Sequence, residues 1–189
     1  SVAENEGKST CAANIAVSLA DRGNRVALLD FDFKKPALYK IFGEEAKENG
    51  ELSELLSGKI AHEDFIFRTF KKTSLSVAIN TKPSPDFRSF IENSSIPVLI
   101  ERLKEEFDFV IIDTAPLSLD STVTDIIGMV DKTVLIIRTD TVNVNALNDS
   151  ISTISKISSN LAGCILNDVH MNILPFSFTG NDESNTYGG

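Results

Sequence analysis

Apolar positions along the chain change their period at regular intervals. Ala12, Ile15, Ala16, Leu19 and Ala20 recur at helical spacing, and Gly23 follows as a stop, which predicts a helix from about Lys8 to Arg22. Arg25-Val26-Ala27-Leu28-Leu29-Asp30 is then a short continuous apolar run ending in an acid, the pattern of a strand buried on both faces. Leu75 to Ile79, Phe107 to Ile112, Thr133 to Ile137 and Ala162 to Leu166 repeat it. Segments of helical character lie between them: Leu52 to Leu56, Pro97 to Glu106, Ser121 to Val130 and Asn145 to Ser159. Helix alternating with buried strand predicts an α/β fold of three layers, a mostly parallel central sheet with helices on both faces. The chain reads as one domain over residues 1–175, followed by a polar tail rich in Gly, Asn and Ser over 176–189 that is expected to be mobile.

The strongest local motif precedes the first helix. In Val2-Ala3-Glu4-Asn5-Glu6-Gly7-Lys8-Ser9-Thr10, the Gly-Lys-Ser core stands where free backbone N–H groups and the helix dipole favour an anion. Lys8 would reach the β and γ phosphates of a nucleotide, and the Ser9 hydroxyl would ligate magnesium. Gly7 allows the backbone to approach a phosphate that a side chain would keep away. Glu6 and Thr10 complete the candidate nucleotide-binding loop. Val2 occupies the first glycine position of the usual phosphate-loop pattern. Asn5 stands where a second glycine is common, and asparagine tolerates positive φ better than most residues. Glu4 and Glu6 are expected to bring negative charge beside the phosphates and weaken affinity unless they turn away. Because such loops follow a buried strand, an apolar strand is expected upstream of Ser1.

Two strand ends supply the acids that magnesium and phosphoryl transfer require. Leu29-Asp30-Phe31-Asp32 carries two, and Ile111-Ile112-Asp113-Thr114-Ala115-Pro116 carries a third. In a parallel sheet these acids and the phosphate loop converge at the carboxyl ends of the strands. Asn167, after the strand ending at Leu166, reads either as a side chain directed at the base or as a turn former. Lys34 and Lys35 read either as a solvated pair or as a phosphate-side pair. His62 and His170 are isolated and are assigned no chemistry.

Composition narrows the choice of partners. With 18 Lys plus Arg against 27 Asp plus Glu, the net charge of -9 disfavours nucleic acid. The two cysteines, Cys11 and Cys164, sit in apolar contexts without metal or disulfide spacing and read as buried reduced thiols. No run approaches the ~18 to 20 apolar residues of a spanning helix, so the chain is expected to be cytoplasmic.

Taken together, Glu6-Gly7-Lys8-Ser9-Thr10, Leu28-Leu29-Asp30-Phe31-Asp32-Phe33-Lys34-Lys35-Pro36 and Ile111-Ile112-Asp113-Thr114-Ala115-Pro116 resemble the bacterial tyrosine kinases of capsule and exopolysaccharide systems. Those are P-loop enzymes related to the partition and septum-site ATPases. The resemblance covers nearly the whole chain and extends to Gly50-Glu51-Leu52-Ser53-Glu54-Leu55-Leu56-Ser57-Gly58 and Ile165-Leu166-Asn167. It implies ATP and Mg2+ as cofactors, with Lys8 and Ser9 on the phosphates and metal. Asp32 and Asp113 would be metal-side acids, Asp30 the acceptor of the tyrosine proton, and Asn167 a nucleotide contact. It further implies a transmembrane activator of the polysaccharide chain-length-determinant type, self-association, a place at the inner face of the membrane through that partner, and autophosphorylation of a tail tyrosine. Here the candidate acceptor is Tyr187; Tyr39 is the other tyrosine, and Lys34 stands where the family commonly has Arg. Two other functions fit the same loop. One is a partition-type ATPase, which generally carries an extra lysine where this chain has Ala3; the other is a nucleotide-binding scaffold without kinase activity.

Overall fold

The computed structural model describes residues 1–43, 51–61, 68–69, 74–84, 87–139 and 142–169. Helix α1 (Lys8–Asp21) leads into β1 (Val26–Phe31), α2 (Leu38–Phe42), α3 (Leu52–Leu56), β2 (Arg68–Thr69) and β3 (Leu75–Ala78). Then follow α4 (Phe87–Glu92), α5 (Ser95–Glu106), β4 (Phe109–Thr114), α6 (Thr122–Met129), β5 (Thr133–Arg138), α7 (Val144–Ile157) and β6 (Leu161–Asn167). Every predicted helix and strand is present within about two residues of its expected ends, the scatter usual for element boundaries. Helix α1 stops as its sequence requires. Gly23 takes φ 89°, its N–H donates to the Ala20 carbonyl at 2.9 Å, and the Asn24 N–H reaches back to Leu19 at 3.3 Å.

Strand β1 is the centre of the molecule and all six of its residues are buried. It pairs in parallel with β3 on one side and β4 on the other. Alternation along the strand sends Val26 and Leu28 into a cluster with Ala13, Ala16 and Ala20 of α1. Leu29 and Phe31 go to the opposite face, against α3, α4 and α5. Burying each such leucine is worth roughly 1.5–3 kcal/mol, so a residue slip in β1 would forfeit both cores at once. Phe33 and Phe87 stack at 4.6 Å between ring centroids and anchor the loop after β1 to α4.

Three short elements were not legible in the apolar pattern: α2, α4 and β2. Helix α2 has 5 residues, too few for a periodic signal, and is organised from outside. Its first amides, those of Ala37 and Leu38, both donate to the buried Asp30 carboxylate at 3.1 Å. Helix α4 is held by Phe87 and Phe90, both members of the aromatic cluster around Phe33.

The fold is the expected three-layer α/β arrangement, with a mostly parallel central sheet. Among the described residues the order is β2-β3-β1-β4 in one sheet, with β2 antiparallel to β3, and β5-β6 in a second. The cysteines depart from expectation: Cys164 is exposed and Cys11 half-buried. Strand β6 alternates half-buried and exposed residues, so one of its faces is not covered, and Cys164 lies on that face. No helix among the described residues is long and apolar enough to cross a membrane. Tyr187, His62, His170 and the tail from 176 lie outside the described residues.

Candidate nucleotide site

The loop Val2–Gly7 delivers the start of α1 to the carboxyl ends of β1 and β4, and two positive-φ residues shape it. Asn5 takes φ 60°, as its tolerance for that region predicted, and Gly7 takes φ 83°. No side chain caps α1, and the Gly7 carbonyl accepts the Cys11 N–H at 2.9 Å. The leading amides of the helix therefore remain for an anion.

The two loop acids behave differently from each other. Glu6 is 1% exposed, and its Oε2 accepts the Ala3 N–H at 2.8 Å, bracing the loop from beneath. Glu4 lines the cleft and pairs with Lys35 at 2.5 Å.

Asn167 also supports the loop: its Nδ2 donates to the Glu6 carbonyl at 2.9 Å, so the end of β6 ties down the phosphate loop. A Cβ added at Gly7 would lie 2.1 Å from that Nδ2, and the left-handed backbone there already disfavours a side chain. Gly7→Ala is expected to cost about 2 kcal/mol and to weaken nucleotide binding about tenfold or more. Thermal melting and titration with a fluorescent ATP analogue measure both.

The three sequence-predicted acids fall into two roles. Asp32 lines the cleft with Lys8, Ser9 and Thr10, and burial raises its pKa against the hydrogen bond from the Lys35 amide. Asp113 sits beside Ser9, whose hydroxyl favours its charged form, and its Oδ2 is buried without a partner. Burial lifts its pKa from 3.8 to about 6, while the Ser9 hydrogen bond and the Lys8 charge pull the other way. Asp30 is not in the cleft. It is 0% exposed, and its oxygens accept the Asp32, Ala37 and Leu38 amides at 3.2, 3.1 and 3.1 Å. It stands opposite Asp113 in the β1–β4 register. Burial, then the charge of Asp113, raises its pKa to about 8. Asp30 thus organises the loop between β1 and α2, and Asp32, just past the end of β1, lines the cleft.

Further residues frame the site that the sequence did not single out. Asp120 accepts the Thr122 N–H at 3.0 Å and pairs with Lys34 at 3.0 Å, joining the loop after β1 to the loop after β4. Asn80, wholly buried, donates to the Asp30 carbonyl at 3.2 Å and accepts the Ser53 N–H at 2.9 Å. Both are single polar residues in loops, marked by no motif. The resulting cleft, about 600 Å³, is closed on its far side by Ala115, Pro116 and Leu119.

This donor set fits a magnesium nucleotide. The phosphates meet unpaired helix amides and Lys8, and the orphaned Asp113 oxygen stands beside the Ser9 hydroxyl. Among the described residues no three His, Cys, Asp or Glu cluster as an all-protein metal cage. Magnesium does not need one, because it keeps several waters and takes substrate phosphate oxygens.

Such a loop, with two strand-end acids at the carboxyl edge of a parallel sheet, defines a P-loop NTPase. The family model described as "ParA: NUBPL iron-transfer P-loop NTPase" matches residues 6–179. The chain is 30% identical over 181 residues to the tyrosine-protein kinase CpsD of Streptococcus agalactiae, covering 96% of this chain and 78% of that one. It is 26% identical over 180 residues to the CpsD of Streptococcus pneumoniae, covering 95% and 78%. The crystal structure of the chimerical protein CapA2B2 superimposes with a TM-score of 0.82 at 26% identity, covering 90% of this chain and 74% of that one. The chain belongs to the ParA-type P-loop NTPases and, within them, to the bacterial tyrosine kinase family.

Proposed function

We propose that this chain is an ATP-dependent protein-tyrosine autokinase that phosphorylates its own tail, with Tyr187 as acceptor, and thereby regulates capsule or exopolysaccharide synthesis. The observation that carries this reading is Lys8 at the start of α1 with its charge acting on both Asp32 and Asp113, in a chain whose relatives are named tyrosine-protein kinases. Bound MgATP supplies the phosphoryl donor and neutralises charge on it. The α1 amides and Lys8 would hold the β and γ phosphates, and Ser9 with Asp113 would form the metal side of the site. Asp32 accepts the phenolic proton as the tyrosine oxygen attacks the γ phosphorus in line and the bond to the β–γ bridging oxygen breaks. Its raised proton affinity suits that task better than an ordinary surface aspartate. Lys34 and Lys35, each held by an acid at the cleft wall, are available to incoming phosphates.

A membrane-spanning activator of the chain-length-determinant type and a second copy of the kinase are the proposed partners, at the inner face of the membrane. Incubation of the full-length protein with that activator, ATP and magnesium, followed by phosphosite mapping, tests the reading. Phosphotyrosine is expected in the tail and its loss in Tyr187→Phe. Sustained ATP hydrolysis with no phosphotyrosine would instead assign a partition-type ATPase, the reading favoured by the family-model match alone.

A further inference from the structure

The loop after β4 turns one leucine inward and the next outward. Leu117 packs against the cluster that contains Leu135 and Ile154, whereas Leu119 is 48% exposed on the wall of the nucleotide cleft. A lone exposed leucine is ordinary on a protein surface. Leu119 differs in how firmly its backbone is held. Its N–H donates to the Pro116 carbonyl at 3.0 Å, closing a tight turn, and its carbonyl accepts the Lys34 Nζ at 3.0 Å. The same Nζ pairs with Asp120 at 3.0 Å, and Asp120 accepts the Thr122 N–H at the start of α6, also at 3.0 Å. Polar contacts on both sides thus fix an apolar side chain where solvent reaches it.

The rest of the lining shows what this side chain faces. Lys8, Ser9 and Thr10 present an ammonium and two hydroxyls at the start of α1, a surface suited to phosphates. Ala115, Pro116 and Leu119 give the same cleft an apolar wall, and Asp32 lines it as well. Lys34, two residues beyond Asp32, ties that wall to the loop carrying the carboxylate. A phosphoryl group has no use for an apolar wall. A phenol does, because its hydroxyl stands at one edge of an apolar ring, and a tyrosine that offers its oxygen to Asp32 has that ring to cover.

We propose, resting on the autokinase reading, that Leu119 is a specificity-determining residue: it receives the ring of the acceptor tyrosine, beside Pro116, while the hydroxyl meets Asp32. Lys34 is the positioning residue that holds this platform. The ring does not change during transfer, so the contact is the same in the bound complex and in the transition state. It therefore governs acceptor affinity and not the rate of the chemical step. It also favours tyrosine over serine and threonine, whose side chains are too short to cover the wall.

Kinetics with a free acceptor test the assignment. The kinase is the full-length protein carrying Tyr187→Phe, with its activator, and the acceptor is a peptide of residues 181–189. Leu119→Ala is expected to raise the KM for the peptide about tenfold, with kcat and the KM for ATP within about twofold of the parent. Leu119→Met keeps the apolar bulk and is expected to stay within about threefold on all three. The same peptide with phenylalanine in place of its tyrosine has the ring without the hydroxyl. It is expected to inhibit competitively, and about tenfold more weakly against Leu119→Ala. Both variants should melt within a few degrees of the parent, because the side chain is exposed. An unchanged peptide KM in Leu119→Ala overturns the assignment and leaves the kinase reading standing. So does a rise in the KM for ATP alone, which would give the wall to the nucleotide. A protein without substitutions that labels neither its tail nor the peptide overturns the kinase reading itself, and this assignment with it.

Discussion

Lys8→Met is expected to lower phosphotyrosine formation by about 10² to 10³-fold while leaving the melting temperature within a few degrees of the parent. Lys8 lines the cleft, and its charge acts on both Asp32 and Asp113. What is lost is a fixed cation facing the phosphates, where charge develops during transfer; removing one such preorganised donor commonly has an effect of this size. Lys8→Arg is expected to recover little, since a planar guanidinium fork does not reproduce a compact ammonium. Autophosphorylation measured by anti-phosphotyrosine blot, with melting as the control, checks the pair of variants. Activity within about threefold of the parent in Lys8→Met would remove Lys8 from the machinery.

Asp113→Asn is expected to trade function against stability. Activity should fall about 100-fold, because the carboxylate beside Ser9 on the metal side is gone. The unliganded protein at pH 8 should become more stable by about 2 kcal/mol, raising Tm by about 5 °C. The reason lies in the register: Asp30 and Asp113 face each other across β1 and β4, both buried. Their folded-state pKa values are raised, to about 8 for Asp30 and about 6 for Asp113, from an ordinary 3.8. Between about pH 4 and pH 8 the folded state therefore holds protons that the unfolded chain has already released, and its stability falls as pH rises through that window. Asparagine cannot ionise, so the variant should show a shallower slope of unfolding free energy against pH. Denaturant unfolding at pH 5, 6.5 and 8 measures it. A parent whose stability rises from pH 5 to 8 would show that the pair is not the dominant titrating element.

The phosphate loop, helix α1, strands β1, β3, β4, β5 and β6 and the acids at their ends were all legible in the sequence. Each depends on neighbours a few residues away: an apolar run between turn formers, or Gly-Lys-Ser at a helix start. Asp30 and Asn167 show where that reasoning stops. Both were placed at the right end of the right strand, but the partners that settle their roles come from distant chain. The Ala37 and Leu38 amides hold one and the Glu6 carbonyl holds the other. The Lys34–Asp120 bridge and the Asn80 staple were illegible for the same reason, since each joins loops that only the fold brings together.

By itself, then, the sequence determined the class of chemistry and the elements that carry it, because periodicity, turn chemistry and the phosphate-loop motif act over short stretches of chain. Tertiary structure alone decided which carboxylate lines the cleft and which braces a loop. Those outcomes rest on burial and on hydrogen bonds between segments far apart in the chain, and no local pattern encodes them.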